Sequence, residues 1–177
     1  MPRLNVVDPA TATGRVKEIF DGPLKGKHLN IFKGFANSPA VLDAYLGMSG
    51  ALNKSSLSGK EREAIALAVG QANDCNYCLA AHTALGKMAG MSEAETIAAR
   101  QGTSEDPRIA ALTKFAMVIH EKRGFVSDDN VATFRAAGFN DGEIAEVVAV
   151  YALNLFSNYF NHLNETEIDF PAAPALS

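Results

Sequence analysis

The chain has 177 residues and a formal net charge of -4, with 47% hydrophobic and 20% charged residues, the composition of one ordinary globular domain. Its acids are scattered, so no basic patch invites nucleic acid or an anionic membrane. MPRLNVVDPA lacks the charged lead of a signal peptide, and the longest apolar stretch, IAEVVAVYALNLF, is interrupted by Glu146 and too short for a bilayer, so a cytoplasmic protein is expected.

In chain order the sequence reads as helices. Residues 1–30 read as a peripheral N-terminal extension of a single domain over 1–177, with ATGRVKEIF a weak helix candidate. SPAVLDAYLGMSGALN follows Ser38-Pro39. SGKEREAIALAVGQAN opens with Ser58 and Glu61 in capping-box spacing and continues through Ile65, Leu67, Ala68 and Val69. In DCNYCLAAHTALGK, Asp74 is the candidate N-cap, which puts Cys75 and Cys78 in the first turn of a new helix. SEAETIAARQG repeats the capping box with Ser92 and Glu95, and Gly102 is its stop. DPRIAALTKFAMVIHEKRG is capped by Asp106, starts at Pro107 and carries an Ile109, Leu112, Phe115, Ile119 stripe. SDDNVATFRAAG is short and ends at Gly138. NDGEIAEVVAVYALNLFSNYFNHL, with Asn140 and Glu143 in box spacing, is the longest. No run alternates over strand length, so the expected class is all-α.

A shift of 82 lays Ser58 on Asn140 and Glu61 on Glu143, cap on cap. It also lays Asn76-Tyr77 on Asn158-Tyr159, with Ser157 and Phe160 where the first copy has Cys75 and Cys78. Two related helical halves explain this, and so does the shared composition of two capped Ala/Val-rich helices.

The chemistry concentrates in Cys75, Cys78 and His82. A thiol attacks as thiolate, and a helix N-terminus, a nearby base and a partner thiol each lower its pKa. Cys78 and His82 are four apart and share a helix face. A disulfide across three residues closes almost no loop and adds little stability, so the pair calls for redox chemistry or metal. The preceding helix supplies Glu61 and Glu63, either of which can face His82 in an antiparallel hairpin.

The spacing Glu63-x11-Cys75-x2-Cys78-x3-His82 resembles the signature of the AhpD-like (alkyl hydroperoxidase D-like) proteins of the carboxymuconolactone decarboxylase superfamily, nearest their peroxidase-related group. IFKGFANSPAVLDAYLGMSGAL, DPRIAALTKFA, AGFNDGEIAEVV and NYFNHLNETEIDFP extend the resemblance over most of the chain past about residue 30. It implies an AhpD-like all-helical fold, a homo-oligomer, no cofactor, and thiol-based reduction of hydroperoxides or disulfides by an alkyl hydroperoxide reductase-like peroxidase. Carried over residue by residue, Cys78 becomes sulfenic acid and Cys75 donates its proton and closes the disulfide. His82 and Glu63 complete the relay, and an unidentified dithiol reductant restores the pair. Some members have a histidine between the cysteines where this chain has Asn76-Tyr77. The last helix fits an oligomer: Ile144, Val147, Val148, Tyr151 and Leu155 form one apolar stripe, and Val150 and Leu153 lie off it.

Other readings compete. Two buried cysteines on an Ala-rich helix need no chemistry. Zinc needs four ligands, and no second CxxC or paired histidine joins Cys75, Cys78 and His82, so no metal is expected. A thioredoxin needs strands. A redox-sensing interaction protein uses the disulfide as a switch without turnover, and a lactone decarboxylase of the same superfamily lacks the cysteine pair. His28, His120 and His162 have no local partner in the sequence.

Overall fold

The computed structural model describes residues 1–176, which form nine helices and no strand among them. They are α1 (Gly14–Asp21), α2 (Asn30–Phe35), α3 (Pro39–Leu52), α4 (Gly59–Ala72), α5 (Asn76–Met88), α6 (Glu93–Arg100), α7 (Pro107–Lys122), α8 (Asp128–Ala136) and α9 (Asp141–Asn164). The helix α2 carries no cap or long stripe and was not expected from the sequence. None of the nine is long and apolar enough to cross a membrane.

Helix α4 is the axis of the fold. Every residue from Ala64 to Gly70 is buried, and small side chains on all its faces let α5, α6, α7 and α9 pack around it. On one side Ile65 and Val69 join Leu112, Phe115, Phe134, Phe139 and Val147. On the other, Ala64 and Leu67 meet Leu79, Met91 and Ile109.

The expectation of a peripheral N-terminal extension is corrected. Ile19 and Phe20 of α1 are fully buried in the cluster that holds Phe35, Leu42, Cys75, Tyr77 and Cys78. The weak pattern of α1 hid a compact apolar face of Val16, Ile19 and Phe20. Backbone bonds from Arg3 to Asn164 and from Val7 to Lys33 fasten the preceding residues.

The capping boxes at Ser58–Glu61, Ser92–Glu95 and Asn140–Glu143 all form, and Asp106 caps α7. The two glutamates that the 82-residue shift aligns converge on one cation. Arg108 Nε donates to Glu61 at 2.6 Å, its NH2 group donates to Glu143, and its guanidinium lies 4.1 Å over the Phe139 ring. Three positive helix ends, those of α4, α7 and α9, thus meet around two carboxylates and an arginine. The aligned segments then part company: the first breaks at residues 73–75 into α4 and α5, and α9 runs unbroken through the equivalent position.

The stripe expected on α9 is only partly inward. Val147 is buried and Val150, expected off the stripe, is buried too, whereas Val148 is 47% exposed. Past Val150 the inward face is polar, formed by Asn154, Ser157, Asn158, Asn161 and Asn164, and Phe156, Tyr159 and Leu163 face outward. The helix reverses its amphipathicity because its second half lies against the cysteines and the chain termini, whose polar atoms need partners.

Replacing Arg108 with Met leaves two carboxylates, each with a side chain only 10% exposed, facing one another. The loss at pH 7 should be about 2–4 kcal/mol, at or below the cost of orphaning a fully buried charge because Arg108 is partly exposed. Both carboxyls sit below their ordinary value. Burial opposes this for Glu61 but hydrogen bonds from Ser58 and Arg108 outweigh it; for Glu143 the Asn140 N–H leads, with Arg108 behind it. Their ionised form therefore contributes stability above the unfolded glutamate pKa and loses it as pH falls through the lower folded values. Urea midpoints of the two proteins should differ most at neutral pH and converge below about pH 4.

Candidate active site

The site is made by the way α4 ends. Asp74 N–H bonds to Gln71 O at 3.1 Å and Cys75 N–H reaches back to Gly70 O at 2.9 Å. These are the two bonds of a Schellman motif. The motif requires a left-handed residue at its penultimate position, and Asp74 takes it with φ +52. The same pair of bonds closes α6, where Gly102 holds that position at φ +70.

The expected Asp74 N-cap is therefore corrected. A left-handed backbone ends a helix and cannot cap the next one, so Cys75 is the N-cap of α5 and Cys78 lies at its third position. Only two residues separate the α4 C-cap, Asn73, from the first residue of α5, and both cysteines are buried, at 1% and 2% exposure.

Cys75 Sγ donates to Cys78 Sγ at 2.6 Å, with no bond between them, and Cys75 also lies 4.0 Å from Asn158 O. Asn161 Nδ2 donates to Cys78 Sγ at 3.3 Å. The donated thiol proton pulls the Cys78 pKa down; burial opposes this, and the positive His82 and the Asn161 amide assist, leaving it at about 6. The same shared proton and burial push the Cys75 thiol up. Of the two sulfurs, Cys78 carries the negative charge and Cys75 keeps the proton. The α5 N-terminus reinforces that choice.

His82 follows one turn after Cys78. Its Nδ1 lies 2.7 Å from Glu63 Oε2 across the α4–α5 hairpin. Of the two candidate glutamates, then, Glu63 is the one that meets the imidazole, and Glu61 belongs to Arg108. Burial disfavours a charged imidazole, but the Glu63 carboxylate more than offsets it and the His82 pKa rises. An Nδ1–H···carboxylate bond leaves Nε2 as the nitrogen available for proton exchange. His82 makes no hydrogen bond to Cys78; its effect on the thiol is electrostatic.

The structure thus brings Glu63, Cys75, Cys78 and His82 together. Two small cavities flank the imidazole. One of about 80 Å³ opens on Cys78, walled by Ile31, Phe32, Tyr45 and Phe170 among others. The other, of about 110 Å³, reaches Glu63, Arg62 and Asn154. His82 and Tyr45 line both. Of the two residues between the cysteines, Tyr77 is anchored from outside: its hydroxyl donates to Asp169 at 2.8 Å, and Asp169 also accepts the Asn30 N–H at the start of α2. The segment after α9 thereby runs over the site, with Phe170 edge-on to Tyr77.

The remaining histidines stay apart from the thiols. His28 lies against Phe20, His120 bonds to the Tyr151 hydroxyl at 3.2 Å, and His162 is exposed. Asn161 and Tyr45 were missed in the sequence. For Asn161 a signal existed: Asn154, Asn158, Asn161 and Asn164 recur at helical spacing through an otherwise apolar helix. Tyr45 gave none, because one tyrosine in an apolar helix reads as packing.

Residues 39–117 match the carboxymuconolactone decarboxylase family. No curated protein matches the chain. Among solved structures, a peroxidase-related protein from Silicibacter sp. TM1040 is 23% identical with a TM-score of 0.81, over 93% of this chain and 89% of the other. An alkylhydroperoxidase AhpD core protein, also peroxidase-related, from Ralstonia eutropha JMP134 is 24% identical with a TM-score of 0.82, over 95% and 92%. The debrominase Bmp8, solved as a Cys-to-Ala variant with 2,3,4-tribromopyrrole, is 16% identical with a TM-score of 0.76, over 96% and 94%. At these identities the likeness speaks to the fold. Over residues 39–117 the chain is similar to the carboxymuconolactone decarboxylase family, and as a whole it takes the all-helical fold of the AhpD-like structures.

Proposed function

We propose that the chain is a thiol peroxidase that reduces organic hydroperoxides through the Cys75–Cys78 pair. The observation that carries this reading is the division of one proton between two buried sulfurs. Cys78 is the acceptor with its pKa pulled down, and Cys75 is the donor. Cys78 attacks the hydroperoxide as thiolate and becomes sulfenic acid, and the alcohol leaves with a proton from His82, which Glu63 holds in place. Cys75 then attacks the Cys78 sulfur, the disulfide forms and water departs. A dithiol reductant exchanges with the disulfide and restores both thiols, as a reducing cytoplasm requires.

Peroxide consumption in the presence of a dithiol reductant tests this. Turnover should vanish in Cys78→Ser, and Cys75→Ser should complete one oxidation and stop with sulfenic acid on Cys78, seen by mass spectrometry with a sulfenate trap. His82→Ala should slow the reaction by about 10²–10⁴ and Glu63→Gln by less. A disulfide that forms once, without steady turnover under any dithiol, would indicate a redox switch instead.

The pH profile follows from the same geometry. The reactive pair is the Cys78 thiolate and the protonated His82, so the rate should rise with pH through a midpoint near the Cys78 value of about 6 and fall again at higher pH, as His82 passes its raised pKa and the proton donor is lost. A rising inflection near the free-cysteine value of about 8.5 would mean that the Cys75 proton and His82 do not act on Cys78.

The reading includes a homo-oligomer built on the outward face of α9, where Phe156, Tyr159 and Leu163 are 39%, 56% and 57% exposed and border an apolar groove. Light scattering at micromolar concentration should give a multiple of 18.8 kDa, and Leu163→Glu should reduce it to the monomer. A monomeric wild-type mass would remove the oligomer from the proposal.

A further inference from the structure

Asn161 reaches the inward face of α9 at 4% exposure, and only half of its amide is satisfied. Nδ2 donates to the Cys78 sulfur, while Oδ1 is shut off from solvent and accepts no hydrogen bond among the described residues. A buried acceptor without a donor costs about 1–3 kcal/mol, so a fold that keeps one invites an explanation. The same side chain lines the cavity of about 80 Å³ on Cys78. The same amide thus gives its N–H to the sulfur and keeps an unpaired C=O, on a residue that borders the cavity beside the sulfur.

Tyr45 faces the same space from α3. It lines both cavities beside His82, and its hydroxyl takes no partner among the described residues. Burial, with the negative charges of Cys78 and Glu63, pushes its pKa up to about 12, so the phenol stays protonated and remains a donor. Most of the other walls of the Cys78 cavity are apolar, Leu29, Ile31, Phe32, Leu85 and Phe170 among them, and Ser157 adds a hydroxyl that donates to Asn154 O.

An alkyl hydroperoxide matches this set atom by atom. Its terminal oxygen is the one a thiolate attacks and carries the O–H donor, its inner oxygen is an acceptor, and its alkyl group suits the apolar walls. Building on the peroxidase reading, we infer that Asn161 is a catalytic residue that seats a small alkyl hydroperoxide. Its Nδ2 steadies the Cys78 thiolate, its Oδ1 accepts the O–H of the oxygen under attack, and Tyr45 donates to the inner oxygen.

In the step itself the Cys78 sulfur gives an electron pair to the terminal oxygen. The S–O bond forms and the O–O bond breaks. The electron pair leaves on the inner oxygen, which takes a proton from the protonated His82. Cys78 is oxidised by two electrons to sulfenic acid and the hydroperoxide is reduced to the alcohol.

The test separates an effect on the peroxide from an effect on the thiolate. Wild type, Asn161→Ala and Asn161→Ser, each checked for intact helix content by circular dichroism, are reacted at a pH where Cys78 is fully ionised. Two rates are measured: oxidation by tert-butyl hydroperoxide in stopped flow, and alkylation by iodoacetamide, which needs only the thiolate. The expected result is a loss of about 10- to 100-fold in the oxidation rate of Asn161→Ala with alkylation changed far less, the worth of one hydrogen bond to a charge-bearing transition state. Asn161→Ser should fall between, and Tyr45→Phe should repeat the pattern. Oxidation and alkylation falling together, or neither changing, overturns the assignment of Asn161 while leaving the peroxidase reading intact. A wild-type oxidation rate no greater than that of free cysteine overturns that reading and this inference with it. Should Asn161→Ala lose its helix content, the Asn161→Ser comparison decides alone by the same two rates.

Discussion

The backbone bond from Cys75 N–H to Gly70 O, closing α4 around the left-handed Asp74, is the constraint on which the site rests. It turns the chain back within a single residue, so one cysteine ends the turn and opens the next helix. That turn sets α4 and α5 antiparallel and in contact, and the hairpin carries Glu63 to His82, nineteen residues away in the chain. It also points the N-terminus of α5 into the core, where the dipole acts on Cys78 through a low-dielectric surrounding. A longer loop would leave the spacing Glu63-x11-Cys75 without its meaning.

Burying a thiolate, a carboxylate and an imidazole together demands polar partners, and α9 supplies them. Its second half turns asparagines inward at Asn154, Asn158, Asn161 and Asn164, where an ordinary surface helix would place leucine or valine. Asn158 meets Asn73 at the end of α4, Asn161 meets Cys78, and Asn164 binds the Leu4 N–H and the Thr166 hydroxyl. The apolar residues thereby displaced to the outside, Phe156, Tyr159 and Leu163, are the counterpart of that arrangement. One helix has to serve a polar interior, and its exposed face becomes apolar as a consequence.

Much of this was legible in the sequence, and for physical reasons. Capping boxes are local and specific, so the starts at Ser58, Ser92 and Asn140 could be read directly, and Gly102 announced a helix end because glycine takes positive φ freely. Asp74 misled because the same residue type both caps helices and tolerates the left-handed region; only the hydrogen bonds of the preceding helix decide between the two. Helical spacing by itself likewise left the choice between Glu61 and Glu63 open, and only the family signature pointed to Glu63. Both lie on α4, and it took Arg108, which is 47 residues from Glu61, to claim one and leave the other for His82. The burial of Ile19 and Phe20 was hidden by the shortness of α1, whose eight residues give too few turns for a stripe to stand out.

The 82-residue echo takes on a definite sense once these elements are placed. Both aligned segments begin with a capping box whose glutamate is held by Arg108, so the arginine fixes their N-termini relative to one another. From there they run side by side for about four turns and arrive at the same level of the fold. The first segment breaks there and exposes the N–H groups of a fresh helix end to Cys78. The second continues without a break, so its backbone groups are already paired and only its side chains can act. That is why the partner segment answers the thiols with asparagine amides, and why Ser157 and Phe160, which stand where the cysteines stand in the first segment, contribute nothing nucleophilic. A shared start at Arg108 and a break in one segment alone yield a thiol at a helix end on one side and its amide partners on the other.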